Sequence, residues 1–263
     1  MNLQNISKNS LFLQSYRITI SNYSKIGMMV LFDVMFLVSF FIIQKLSNYL
    51  GMNIVPYINF SPITFLFILS AIYYLAVLFL YSFFKFNVLD YAKSIFGKTK
   101  FSFKRFLGFF LLNLTIAFIF LILMLIIDYI LMSTKPNYAP YVFLVIAIPY
   151  LLFLYIILNI SQSLFYNGSS LRESLRKGFR ITFTEMNSYR EIVLAIVLLS
   201  IMLWLLFLGF GYLVRISTSG NNLAYLSAYS AFSEIIKWVV SIAAYLLILI
   251  NRVSFYIVAK DKT

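Results

Sequence analysis

Six long apolar runs dominate this sequence and leave the chain very few ways to fold. A helix rises about 1.5 Å per residue, so about 20 apolar residues are enough to cross a hydrocarbon core of about 30 Å. An open strand would leave backbone groups without hydrogen-bond partners in lipid. The sequence therefore predicts an all-α integral membrane protein with six transmembrane helices. The runs cover residues 26–46, 63–84, 106–132, 141–160, 192–214 and 235–258.

The composition supports the same fold class. Of 263 residues, 62% are hydrophobic and only 11% are charged, which is too little polar surface to coat a soluble protein of this size. The first run contains Asp33 and lacks the small-residue cleavage pattern of a signal peptide. We therefore expect it to remain in place as a membrane helix.

A short motif of basic, Ser/Thr and aromatic residues occurs three times, starting at Arg17, Lys98 and Arg180. Each copy is followed by an apolar run, which is typical of repeated membrane units. The chain is therefore predicted to be a single polytopic membrane domain over residues 1–263. Its internal repeats are expected to cover approximately residues 10–85, 86–165 and 166–259, each with a basic amphipathic segment before a helical hairpin.

The basic segments have the composition of membrane-surface helices. In the third segment, Leu171, Leu175, Phe179 and Phe183 recur at intervals of four, with cations between them. Such a helix rests its apolar face among acyl chains and keeps its cations at the headgroups. We expect the segments near residues 10–22, 88–100 and 170–183 to lie flat along the membrane, with Ser169 or Ser170 as the N-cap of the third.

Most of the 21 Lys and Arg residues fall on one side of the predicted spans, whereas the opposite loops hold Lys45, Lys135 and Arg215. The positive-inside rule then places both termini in the cytoplasm of a multi-pass protein of the cell membrane. The same rule accounts for the net charge of +13, so no nucleic-acid partner is needed to explain it. In the loop from residue 216 to 232, Asn221 or Asn222 is expected to begin a short interfacial helix or an extension of the last helix.

The cations of the basic segments are candidate contacts for lipid headgroups. Each Lys or Arg near an anionic leaflet contributes on the order of 1 kcal/mol of attraction, so anionic membrane lipids are the expected partners. The same residues also suit simple topological anchors, and both interpretations stay open. The candidates are Arg17, Lys25, Lys98, Lys100, Lys104, Arg105, Arg172, Arg176, Lys177, Arg180 and Arg190.

Polar residues inside the runs are a second candidate site, because a charged or polar group at membrane depth is costly unless it is partnered. Two interpretations stay open, a set of hydrogen bonds that holds helices together and a hydrophilic cavity that opens to the cytoplasm. Matched depth in the first and last runs predicts that Asp33 and Arg252 form an ion pair. The candidate cluster contains Asp33, Asn113, Asn159, Gln162, Asn251 and Arg252.

Signatures of catalysis are missing from the sequence. The chain contains no cysteine and no histidine, which removes thiol and imidazole chemistry and the usual zinc ligands. The eight acidic residues do not form a catalytic pair on any one helix, and no phosphate-binding loop is present. We therefore expect a protein that is not an enzyme and that has no cofactor and no metal site.

The stretch Glu173-Ser-Leu-Arg-Lys-Gly-Phe-Arg-Ile-Thr-Phe183, followed by Tyr189-Arg-Glu-Ile192 and an apolar run, resembles a repeated motif of known membrane domains. These are the membrane domains attached to glycerophosphodiester phosphodiesterases and related uncharacterised six-helix families. The resemblance covers the repeat segments and no catalytic domain, so it implies no phosphodiesterase activity. It implies a membrane-embedded accessory role or a role close to lipid.

Two functions are therefore considered. The first is a non-enzymatic multi-pass accessory protein that binds lipid, a membrane protein partner or a second copy of itself. The alternative is a small permease with a polar cavity open to the cytoplasm. The first predicts a packed interior in which polar groups pair with one another, and the second predicts a water-filled cavity that reaches the middle of the membrane.

Overall fold

The computed structural model describes residues 10–54, 62–97, 99, 101–135, 137–218 and 222–262. These residues form helices and a few turns, and no strand occurs among them. One turn of 3₁₀ helix, Met186–Ser188, precedes the seventh helix. In chain order the α-helices are α1 Leu11–Ser21, α2 Tyr23–Ile54, α3 Pro62–Phe96, α4 Phe103–Met132, α5 Ala139–Asn167, α6 Leu171–Thr184, α7 Arg190–Ser217 and α8 Asn222–Lys260.

Six of these helices, α2, α3, α4, α5, α7 and α8, are long and apolar enough to cross a membrane. Each contains one of the six apolar runs, so the prediction of an all-helical protein with six membrane-length helices is confirmed. The helices are longer than the runs: α2, α3 and α5 continue for about two to three turns past the end of the run, and α8 begins more than three turns before its run. Helical structure at these ends satisfies the backbone hydrogen bonds near the membrane surface.

The second basic segment differs from the prediction. Residues 88–96 are the last turns of α3 and do not form a separate helix. The physical reason is that no Gly or Pro interrupts the sequence between Pro62 and Gly97, so nothing ends the helix earlier. Lys98 and Lys100 lie outside the described residues. The first and third segments do form separate helices, α1 and α6.

The last helix begins at Asn222 and continues to Lys260. This is the extension of the final helix that the residues after Asn222 predicted as one of two alternatives. No Gly or Pro occurs within this range, which explains its unbroken length. Asn221 lies outside the described residues.

The chain divides into two compact units. The larger unit contains Asn22–Glu185 and Tyr256–Thr263, and the smaller one contains Met1–Ser21 and Met186–Phe255. In the larger unit each helix packs on the next, from α2 through α6, and α3 also contacts α5. In the smaller unit α1 packs against α7, and Phe207 of α7 stacks on Phe232 of α8.

A tight turn at Gly168 sets the start of α6. Gly168 has a φ of 117°, a left-handed conformation that glycine adopts without strain. Its N–H donates to the Phe165 carbonyl at 3.1 Å, and the Ser169 N–H donates to the Leu164 carbonyl at 3.2 Å. Ser170 is the N-cap of α6, and its hydroxyl accepts the Glu173 N–H at 3.3 Å. The serine predicted as an N-cap therefore caps the helix.

Candidate functional site

Buried side-chain amides join three helices of the larger unit. Asn113 of α4 donates its Nδ2–H to the Ser82 hydroxyl of α3 at 2.9 Å. Gln162 of α5 donates its Nε2–H to the Asn113 Oδ1 at 2.8 Å. All three residues are at most 1% exposed. We call Ser82, Asn113 and Gln162, with the neighbouring Tyr81, the amide cluster; the Gln162 Nε2 also lies 3.2 Å from the Tyr81 hydroxyl oxygen.

A buried lysine adds a second bond of this kind between α3 and α5. The Lys85 Nζ donates to the Asn159 Oδ1 at 3.0 Å, although Lys85 is only 8% exposed. The Asn159 amide nitrogen donates in turn to the Tyr155 carbonyl, one helical turn earlier, at 2.8 Å. A buried ammonium is costly unless hydrogen bonds replace its water, which is what Asn159 provides. These contacts bring α3 and α5 together one turn from the amide cluster.

The structure brings together three of the six predicted polar residues, Asn113, Asn159 and Gln162, all in the larger unit. Asp33 also belongs to the larger unit, whereas Asn251 and Arg252 belong to the smaller one. The expected ion pair between Asp33 and Arg252 stays a prediction. Sequence reasoning missed Tyr81, Ser82 and Lys85 as members of the network. Their spacing on α3 could have indicated them, because Lys85 follows Tyr81 by four residues and Ser82 by three, and residues at these intervals share a helix face.

One acceptor of the amide cluster is left over. The Gln162 Oε1 is buried and has no hydrogen-bond partner among the described residues, although Gln162 itself is 0% exposed. A buried carbonyl without a partner is destabilising by about 1–3 kcal/mol. The Asn113 Oδ1 would become a second unpartnered acceptor if Gln162 were replaced, because Gln162 is its donor.

We expect Asn113→Leu to lower the free energy of unfolding by about 1 kcal/mol, because it removes two interhelical hydrogen bonds of about 0.6 kcal/mol each. We expect Gln162→Leu to cost a similar amount, because removal of the unpartnered Oε1 is offset by the buried Asn113 Oδ1, which then loses its donor. The double variant Asn113→Leu/Gln162→Leu removes both acceptors, so its loss should be smaller than the sum of the two single losses. Thermal unfolding of the three variants in the same detergent measures these losses, and additive losses would contradict this account.

A crevice of about 320 Å³ lies beside the amide cluster, between α3, α4 and α5. Tyr81 and Asn113 lie at one end of it, and Met124 and Tyr150 lie at the other. Its walls between them are apolar, and they are formed mainly by one face of α4 and by Leu154 and Leu158 of α5. The crevice thus presents a hydrocarbon surface that ends at the amide cluster.

A second network lies where α5 ends, about one to two helical turns from the amide cluster. Tyr166 donates its hydroxyl proton to Asp90, and the Thr99 hydroxyl donates to the same carboxylate at 3.1 Å. Arg105 of α4 donates from Nη2 to the carbonyls of Phe165 and Tyr166. Its guanidinium carbon also lies 5.1 Å from the centre of the Tyr166 ring. Arg105 therefore satisfies carbonyls at the C-terminus of α5, where a cation is favourable.

The end of α8 packs onto this network. Tyr256 donates its hydroxyl proton to the Asn167 Oδ1 at 2.6 Å and stacks on Phe96 of α3 with ring centres 5.4 Å apart. Lys260 lies 5.0 Å from the centre of the Phe96 ring. Beyond α8, Lys262 forms an ion pair of 2.5 Å with Glu185. Through these contacts residues 256–262 form part of the larger unit.

In the smaller unit, Glu191 caps α1. The Ser10 hydroxyl and the Phe12 N–H both donate to the Glu191 Oε2, at 2.8 Å and 3.1 Å. Glu191 lies in the first turn of α7, where a negative charge is favourable. The same carboxylate also accepts the hydrogen bonds of donors at the start of α1. The same unit buries Tyr189, and burial raises the pKa of its phenol.

The candidate headgroup residues fall into two groups. Lys25 and Arg105 direct their donors inward, since Lys25 donates to the Ser94 carbonyl and Arg105 to the end of α5. Lys177 forms an ion pair of 2.9 Å with Glu173, and this bond lowers the pKa of the Glu173 carboxyl. The second group is exposed and consists of Arg17, Lys104, Arg172, Arg176, Arg180 and Arg190.

Three of the exposed arginines form a stripe on α6. Arg172, Arg176 and Arg180 are four residues apart, so they lie within about 80° around the helix at about 100° per residue. The opposite side, with Ser174, Gly178 and Ile181, is buried. Phe179 and Phe183 flank the arginines, and Phe183 is 59% exposed although its ring stacks on Phe153 of α5. We call Arg172, Arg176 and Arg180 the arginine stripe.

Comparisons with known proteins identify no relative. No protein-family model, curated protein or solved structure matches the chain. Within the described residues, no three Asp or Glu side chains come together in a group that could hold a metal ion. The assignment of function therefore rests on the physical properties of the amide cluster, the crevice and the arginine stripe.

Proposed function

We propose that the chain is a non-enzymatic multi-pass protein of the cell membrane that binds anionic phospholipids along the arginine stripe. In this proposal both termini and α6 are on the cytoplasmic side, where the positive-inside rule places most of the cations. The observation that carries the proposal is the pattern on α6, in which three exposed arginines border an exposed phenylalanine. Cations reach headgroup phosphates while the phenylalanine enters the acyl boundary.

Helix α6 is held in a fixed position, which supports a binding role for its free side. Ser170 caps its first turn, the Glu173–Lys177 pair spans the next turn, and Gly178 lies against Ser161 of α5. A rigid helix loses little entropy when a ligand binds, so its exposed cations are organised in advance for headgroups. Arg172, Arg176 and Arg180 take no part in an ion pair with any described residue.

The alternative, a small permease, has less support from the polar residues. Asn113, Asn159 and Gln162 bond to one another or to Ser82 and Lys85 in positions that are at most 8% exposed. The crevice next to them has mainly apolar walls. Paired polar groups of this kind stabilise helix packing, whereas a transport pathway needs polar groups that face water.

The proposal predicts that Arg172→Gln/Arg176→Gln/Arg180→Gln lowers the affinity for phosphatidylglycerol about tenfold. Each arginine contributes up to about 1 kcal/mol near an anionic lipid, and salt screening reduces the sum of the three. Native mass spectrometry of the purified protein, titrated with phosphatidylglycerol or phosphatidylcholine in a mild detergent, measures both affinities. Weak binding of phosphatidylcholine should change little.

The matched control removes the same charge from exposed positions elsewhere, in Lys45→Gln/Arg215→Gln/Lys237→Gln. We expect this variant to keep its affinity for phosphatidylglycerol. If both triple variants lose affinity equally, net charge alone attracts the lipid and the arginine stripe is not a site. If neither loses affinity, the proposal is wrong.

A further inference from the structure

The crevice between α3, α4 and α5 has the dimensions of a site for one lipid chain. Along α4 it extends from Asn113 to Met124, which is about 16 Å at 1.5 Å per residue. This matches one leaflet of a hydrocarbon core that is about 30 Å thick. Its volume of about 320 Å³ lies at the lower end of the range for small-molecule sites, about 300–1,000 Å³.

Contacts between α4 and α5 hold the crevice in shape. The Tyr150 hydroxyl donates to the Phe120 carbonyl at 2.8 Å, and the two rings meet edge to face with centres 5.5 Å apart. At the closed end, hydrogen bonds fix Asn113 between Ser82 and Gln162. The walls therefore do not depend on a ligand for their positions.

Charges beyond the open end indicate which lipid fits. Asp128 follows Met124 by four residues and so lies on the same face of α4, one turn past the crevice. It is exposed, and no cation of the described residues pairs with it. Lys135 follows in the turn to α5 and is also exposed. This end of the hairpin thus carries one anion and one cation, which complement the amine and the phosphate of a zwitterionic headgroup.

We propose that the crevice binds one acyl chain of a phospholipid whose headgroup carries a phosphate and an amine, with the amine at Asp128. The inference rests on the membrane placement proposed above, but it does not use the arginine stripe. The two sites lie at opposite ends of the α4–α5 hairpin, because α6 follows the end of α5 while Asp128 lies near the end of α4.

The test uses two photoactivatable lipids, a phosphatidylethanolamine and a phosphatidylglycerol that carry the same diazirine-labelled acyl chain. The protein is placed in phosphatidylcholine nanodiscs with either probe, and cross-linked peptides are located by mass spectrometry. We expect the phosphatidylethanolamine probe to label residues 113–124 and 150–158 about fivefold more than the phosphatidylglycerol probe, as one charge contact of about 1 kcal/mol implies.

Two variants separate the chain site from the headgroup contact. Ala117→Phe fills the crevice and should abolish its labelling by both probes, whereas Ala71→Phe, at an exposed position of α3 outside the crevice, should leave it unchanged. Asp128→Asn should lower labelling by the phosphatidylethanolamine probe to the level of the other probe. Asp128 is exposed, so this variant tests the proposal even if Ala117→Phe fails to fold.

Equal labelling of the unmodified protein by the two probes would overturn the headgroup assignment. Labelling that persists in a folded Ala117→Phe protein, as judged by its thermal unfolding, would overturn the chain site. The triple glutamine variant of the arginine stripe keeps the two proposals distinct. It should lose phosphatidylglycerol affinity and keep the labelling of the crevice, so that either proposal can fail without the other.

Discussion

Arg105→Leu is expected to lower the free energy of unfolding by about 3 kcal/mol, an effect large enough to shift thermal unfolding in detergent clearly. Arg105 donates to the carbonyls of Phe165 and Tyr166 in the last turn of α5, where the Phe165 carbonyl also accepts the Gly168 N–H. Hydrogen bonds from a charged donor contribute about 1.5–3 kcal/mol each. The position of Arg105 at the negative end of the helix dipole increases this stabilisation, and the partial exposure of Arg105 to solvent reduces it.

Lys104→Leu is the matched control, because Lys104 is the adjacent cation of α4 and is exposed. It removes the same charge, and its effect should stay within about 0.5 kcal/mol. Arg105→Lys keeps the charge but loses the planar guanidinium, so it should fall between the two. Equal losses for the leucine variants of Arg105 and Lys104 would show that the contacts with the end of α5 do not stabilise the protein.

Arg105 also shows what the sequence could not reveal. The sequence grouped Arg105 and Lys104 together as candidates for headgroups, because both follow the same basic motif at the start of an apolar run. Only the arrangement of α4 beside the end of α5 separates them, since it turns Arg105 inward and leaves Lys104 exposed. The direction of a cation near a helix end depends on the neighbouring helix, and a single sequence does not contain that information.

The fold was more accessible to sequence reasoning than the site. Apolar runs determine membrane-length helices almost without regard to packing, which is why all six were found. The end of α3 was misplaced because a change from apolar to mixed composition does not end a helix, whereas Gly97 does. At the end of α3, the helix boundary therefore follows a breaking residue more closely than it follows hydropathy.

The amide cluster was predicted in part, for a physical reason. A polar side chain at membrane depth needs a partner, so Asn113, Asn159 and Gln162 could be selected from the sequence. Their partners on α3 could not be selected, because Ser82 and Lys85 lie where an apolar run gives way to polar residues and could equally face water. The crevice is a property of the shape between three helices, and no sequence pattern indicates it.

The close contact between α5 and α6 leads to the second large effect. A Cβ atom added at Gly178 would lie 2.0 Å from the Ser161 Oγ, 3.1 Å from its Cβ and 3.3 Å from its Cα. The hydroxyl could rotate away, but the Cβ and Cα atoms of Ser161 could not. Glycine at this position lets the two helices approach each other closely, as small residues do at other membrane helix interfaces.

Gly178→Ala is therefore expected to lower the free energy of unfolding by about 2 kcal/mol, because overpacking outweighs the higher helix propensity of alanine. Gly209→Ala is the control, since no atom lies within 4 Å of a Cβ added in that part of α7, and it should be neutral or slightly stabilising. Ser161→Gly removes two of the three close atoms, and its buried hydroxyl has no hydrogen-bond partner among the described residues. The double variant Gly178→Ala/Ser161→Gly should therefore be more stable than the sum of the two single losses implies, whereas additive losses would show that Gly178 does not act through Ser161.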